Sequence, residues 1–117
     1  MAAQFVSFGK IQIAAAGTPQ KVQIPQVAGN PVMNPPSCHA LLIQALSTNA
    51  GKIYIGLAGL DKATLAQVLV VLPVPTANLL PAFSIAVTVA GNAINVGDLW
   101  LDADTSGEGV LLSALVA

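Results

Sequence analysis

The stretch FSIAVTV, residues 83–89, sets Phe83, Ile85, Val87 and Val89 on one side of an extended chain and Ser84, Ala86 and Thr88 on the other. Strict alternation of this kind fits a half-buried β-strand, whose side chains point to opposite faces with a period of two. The device recurs. Residues 10–13 alternate Lys10 and Gln12 with Ile11 and Ile13, residues 21–24 alternate Lys21 and Gln23 with Val22 and Ile24, and residues 52–57 place Ile53, Ile55 and Leu57 on one face. Residues 40–46, 67–72 and 109–115 are apolar on both faces, and DLWLD at residues 98–102 brings the total to about eight strands.

Between these runs lie AGTPQ, VAGNPVMNPPS, STNAG, LAGLD, PVPTANLLP, VAGNAINVG and DADTSGEG, each with a Gly or Pro that favours a turn. No long stretch has the 3.6-residue period of an amphipathic helix, although residues 61–68 suffice for one helical turn. The pattern predicts an all-β chain: a two-sheet antiparallel β-sandwich, jelly-roll-like in strand order, with an immunoglobulin-like sandwich as the alternative. Strand order itself is not written in a single sequence. With no fixed-period repeat and no long linker, residues 1–117 are expected to form one domain.

Charge is the second constraint. Of the 117 residues, 55% are hydrophobic, and the charged ones are four Lys and five Asp or Glu, giving a net charge of −1. An ordinary chain of this length carries roughly 29 charges. A monomer of this mass exposes roughly 5,900 Å², which so few charges cover thinly. Large exposed apolar patches mark contact sites, so part of this surface is expected to meet another chain. Strands apolar on both faces point the same way, because an antiparallel sheet facing water keeps one face polar.

A bilayer does not fit as that partner. Residues 63–97 carry no charge, but Gln67, Pro73, Pro75, Asn78, Pro81, Asn92 and Asn95 interrupt them, and a spanning helix needs about 20 mostly apolar residues. The opening MAAQFV lacks the basic region and apolar core of a signal peptide, so synthesis and assembly in the cytosol are expected. Nucleic acid is also unsupported as a partner, since Arg is absent and the four Lys are dispersed.

Little in the chain suggests catalysis. Cys38 is the only cysteine, which rules out an internal disulfide, and it reads as a small buried hydrophobe or an inert thiol. His39 is the only histidine and has no neighbouring nucleophile that would suggest a triad, so it reads as structural. Asp98, Asp102 and Asp104 could supply paired carboxylates for glycoside hydrolysis, but no aromatic-rich cleft accompanies them. Asp102, Asp104 and Ser106, followed by Gly107, match the first half of a calcium loop with oxygen ligands at alternate positions. The twelfth position falls on Ser113 in place of the bidentate Glu, so the expectation is a solvated turn between strands, with no metal, no cofactor and no catalytic residue.

Three segments carry a resemblance: AAAGTPQKVQI, STNAGKIYIGLAGLDKATLAQVLVVLPVP and GNAINVGDLWLDADTSGEGVLLSALVA. Together they resemble the small β-rich virion proteins of tailed bacteriophages, most closely the head decoration, or cement, proteins. The resemblance implies a non-enzymatic homo-oligomer, a trimer, that binds the major capsid protein on the outer surface of the head and stabilises the shell. A tail, adaptor or fibre-associated structural protein would share the pattern. A lectin-like receptor-binding module is a third reading, for which Trp100, Tyr54 and the incomplete calcium loop are the only candidate features.

Overall fold

The computed structural model describes residues 4–22, 37–86 and 94–116. They form strands β1 (Gln4–Gln12), β2 (Gln20–Lys21), β3 (Ser37–Cys38), β4 (Ala40–Ala45), β5 (Ile53–Asp61), β6 (Ala66–Leu72), β7 (Ala82–Ala86), β8 (Ile94–Asn95), β9 (Trp100–Ala103) and β10 (Gly109–Val116). A 3-10 turn at Val96–Asp98 precedes β9. Every pairing is antiparallel. One four-stranded sheet has the order β1-β10-β4-β7 and a second the order β2-β9-β5-β6, while β3 and β8 pair with each other.

Setting aside that short pair leaves eight strands whose first and last are partners: β1 with β10, β2 with β9, β4 with β7 and β5 with β6. This is a long antiparallel hairpin, closed at the β5–β6 turn and wound so that successive pairs fall in alternate sheets. The expected all-β sandwich is therefore present, and its connectivity is that of a jelly roll.

Alternation in the sequence becomes the space between the sheets. Ile11 and Ile13 are buried while Lys10 and Gln12 are exposed. From the same sheet Leu41, Ile43 and Ala45 of β4 and Val110, Leu112 and Ala114 of β10 point inward, and Ile53, Ile55, Leu72, Leu101 and Ala103 meet them from the other sheet. Each buried methylene contributes about 0.8 kcal/mol, so this layer is the main favourable term for the fold. No buried side-chain nitrogen or oxygen among the described residues lacks a hydrogen-bond partner.

The expected boundaries shift where backbone geometry overrides side-chain pattern. LAGLD is the second half of β5 rather than a connecting loop. Leu57, expected to face inward, is exposed, and Leu60 is buried in its place. The cause lies at Gly56, on either side of which the β5–β6 register slips. A Cβ there would collide with the Gln67 carbonyl oxygen, so only glycine admits the close approach, and Gln67 answers with a φ of 57°. Residues 61–68 make no helical turn. Instead Asp61 Oδ1 accepts hydrogen bonds from the Ala63 and Thr64 N–H groups at 2.9 and 3.4 Å, fixing a tight reversal over residues 62–65. The strand expected from Asp98 starts at Trp100, after the 3-10 turn. The outer ends of two expected strands, residues 23–24 and 87–89, lie outside the described residues.

Two substitutions test this account. Leu101→Ala, at a side chain 1% exposed, should destabilise the fold by about 2–5 kcal/mol, read as a lower urea midpoint at unchanged slope. Gly56→Ala should also lower the midpoint although it adds only a methyl group, because that methyl meets backbone.

Candidate contact surface

All nine charged residues lie in described parts of the chain, and they are unevenly shared between the two sheets. Lys10 on the outer strand β1 is the only one in the first sheet, whose remaining strands β10, β4 and β7 carry none. The others belong to the second sheet or to connecting segments.

The outward face of the first sheet is accordingly apolar and weakly polar. Register places Leu42 between Ser113 and Ser84, and Gln44 between Leu111 and Ala82. Leu42 and Leu111 are 45% and 43% exposed. In residues 73–81, which lead into β7, the same character continues, and Val74, Leu79 and Leu80 stand in solvent. Thr76 and Leu79 exchange backbone hydrogen bonds of 2.9 and 3.3 Å, so this segment is a defined turn that presents its leucines. The double-sided apolar pattern of residues 40–46 and 109–115 thus has a structural counterpart, an inner half in the core and an outer half at the surface.

The acidic region has other work. Asp102 on β9 is 1% exposed, and its Oδ1 accepts hydrogen bonds from the Gly17 N–H at 2.9 Å and from the Ala103 N–H at 2.7 Å. Ser106 Oγ accepts from the Ala16 N–H at 2.9 Å. Asp104 turns elsewhere, toward Lys62 Nζ at 3.4 Å and the Tyr54 hydroxyl at 3.5 Å, while Lys62 also donates to the Ala103 carbonyl at 2.8 Å. The three residues of the calcium-loop pattern are therefore each turned to a different partner, and no group of three His, Cys, Asp or Glu that could hold a metal occurs among the described residues. A cleft of about 450 Å³ lies beside Asp102, lined also by Gly17, Pro19, Leu60 and Lys62.

Two side chains hold loops in a way the sequence did not signal. Glu108, the last residue of the acidic stretch compared with a calcium loop, accepts from the Ala50 N–H and, at 3.0 Å, from the Gly51 N–H. Asn49, 5% exposed, donates through Nδ2 to the Gly109 carbonyl at 2.8 Å and accepts from the Gly109 N–H at 3.2 Å, copying the backbone of a neighbouring strand. Only its pairing with Gly109, 60 residues away, separates such an Asn from an ordinary turn residue, and pairing of that kind is invisible before the fold is known. Asp98 is exposed at the end of the 3-10 turn, apart from Asp102 and Asp104 in sequence and in element. His39 is exposed, and its backbone N–H donates to the Leu115 carbonyl at 2.8 Å. The side chain of Cys38 lies outside the described residues.

Comparison with protein-family models, curated proteins and solved structures finds no match to this chain. Among the described residues no helix is long and apolar enough to cross a membrane.

Tyr54, the only tyrosine, offers a direct probe of the acidic side. Burial raises its phenol above the ordinary value of 10.0, and the negative charge and hydrogen bonding of Asp104, with a contribution from Asp102, add to this. A group whose pKa rises on folding contributes stability that is complete below its unfolded value and is lost as pH climbs through the folded one. Phenolate absorbance should titrate above pH 10 in the folded protein and near 10 in urea. Tyr54→Phe should remove this component of the alkaline loss of stability.

Proposed function

We propose that this chain is a non-enzymatic structural protein of a tailed-bacteriophage virion, a decoration (cement) protein that oligomerises on the head and binds the major capsid protein through the outward face of its first sheet. The observation that carries the proposal is the face of β10, β4 and β7, three strands without a charge, on which Leu42 and Leu111 are exposed and Lys10 of β1, beside Leu111, marks the border. Such a face costs solubility in a free domain and gains only when covered. A stable interface of ordinary size buries about 800 Å² per partner, an area that a four-stranded sheet face can supply.

A cement protein acts by linkage. Each copy that binds the assembled shell and not its separated subunits adds its binding free energy to the shell alone, so filled sites resist heat and internal pressure. The opposite side suits the role as well. There the Asp102 and Glu108 carboxylates accept from backbone N–H groups of other loops, which ties the turns together. The sequence resemblance to head decoration proteins supports the same reading.

The test uses virions and purified protein. Particles stripped of the protein should adsorb to host cells normally, lose DNA at lower temperature, and recover on re-addition. Leu42→Lys combined with Leu111→Lys, both at exposed positions, should fold yet weaken binding to stripped particles by tenfold or more. Copy number by mass spectrometry should match the shell subunits. A handful of copies per particle, or particles that are stable but fail to adsorb, would move the protein to the tail.

A further inference from the structure

The outer strands of the sandwich are not alike; β7 (Ala82–Ala86), also uncharged but shorter than β6, runs up to residues outside those described, and the other three can be compared. β1 carries Lys10 and a register slip after Ser7 at Gly9, and β2 is two residues long and includes Lys21. Charge, irregularity and shortness are the means by which proteins stop a sheet edge from pairing with another chain. On the other side β6 ends the second sheet and pairs only with β5 among the described residues. Its last five residues, Val68, Leu69, Val70, Val71 and Leu72, include no charge, proline or glycine. Left open, such a run is the signature of uncontrolled strand addition.

A second observation lies at the start of the strand. Leu65 has a φ of 63° and is 56% exposed. A left-handed backbone costs a leucine roughly 1–2 kcal/mol, and exposure of its side chain returns nothing. Glycine or asparagine would relieve that strain. A strained residue that keeps a large apolar side chain in solvent points to a contact that the side chain makes. Leu69 projects from β6 itself, 53% exposed, on the face opposite the core-packed Val70.

We propose that β6 pairs antiparallel with β6 of a second copy of this chain, so that two four-stranded sheets become one sheet of eight strands with Leu65 and Leu69 packed across the junction. The occupant follows from charge. Any charged side chain on β6 would face its own like in such a pair, and residues 63–86 contain none. Open N–H and C=O groups on one copy meet the same groups on the other, which a strand paired with itself satisfies in full. The contact is twofold, giving a dimer or an assembly built from dimers, unlike the trimer that the sequence resemblance implies. It uses a different surface from the shell-binding face and stands independently of that reading.

Leu69→Lys tests the proposal at an exposed side chain, with Leu65→Asn as a second variant that relieves the backbone strain. Sedimentation equilibrium of the wild-type protein should show dimers or multiples of dimers. Both variants should keep the wild-type far-ultraviolet spectrum and raise the dimer dissociation constant at least tenfold, and Leu65→Asn should melt no lower than wild type when both are monomeric. Amide exchange along residues 68–72 should be slow in the dimer and faster in Leu69→Lys. A wild-type monomer at about 100 µM, far above the micromolar range of a stable pair, or an oligomer that both folded variants leave unchanged, overturns the proposal. Binding of the variants to stripped particles is read separately: if Leu69→Lys is monomeric and still binds, the two surfaces are distinct.

Discussion

Insertion of β10 between β1 and β4 is the interaction on which the rest of the structure depends. β10 is the second strand of its sheet, so β1 is joined to β4 and β7 only through it. Gly109 is where this strand enters. It stands opposite Gln12 on one side, receives the Leu46 N–H at 3.2 Å on the other, and is held by both polar atoms of Asn49. A Cβ at this position would collide with the Ile11 carbonyl, so the junction requires glycine. Pairing between residues so far apart is slow to find and strongly cooperative once found, as is general for folds built from non-local contacts.

The uneven charge follows from the same winding. Turns that gather near the start of β10 bring Glu108 to the Ala50 and Gly51 amides and Asp102 to the Gly17 amide, linking three loops through carboxylates. Ser106 adds a neutral bond to Ala16. With charge used there, the sheet made by β10, β4 and β7 is left without any. The acidic stretch thus ties loops together through hydrogen bonds, while the candidate contact surface is the one that looks featureless in a list of residues.

Much of the fold was legible because period-two alternation is a local property. Ile11 and Ile13, or Ile53 and Ile55, declare a buried face by spacing alone, and the structure buries all four. Legibility failed where the cause was a contact between distant backbones. Leu57 reads as a core residue until Gly56 meets Gln67 and the register slips. LAGLD reads as a loop because its glycines favour turns, yet it continues β5 beside β6. For the candidate contact surface, composition announced that charge was missing but not where. The location depended on strand order, which places Leu42 and Leu111 on neighbouring strands although they are far apart in the chain.

With eight of its nine charges off the first sheet and only Lys10, at that sheet's β1 edge, on it, the domain is lopsided in polarity at the scale of the whole body. At any boundary between water and a less polar medium it has one preferred orientation, with the β10-β4-β7 face turned away from water. Alignment at a surface therefore requires no directional bond: the hydrophobic effect selects which side faces down, and specific contacts have only to fix position and rotation within the plane.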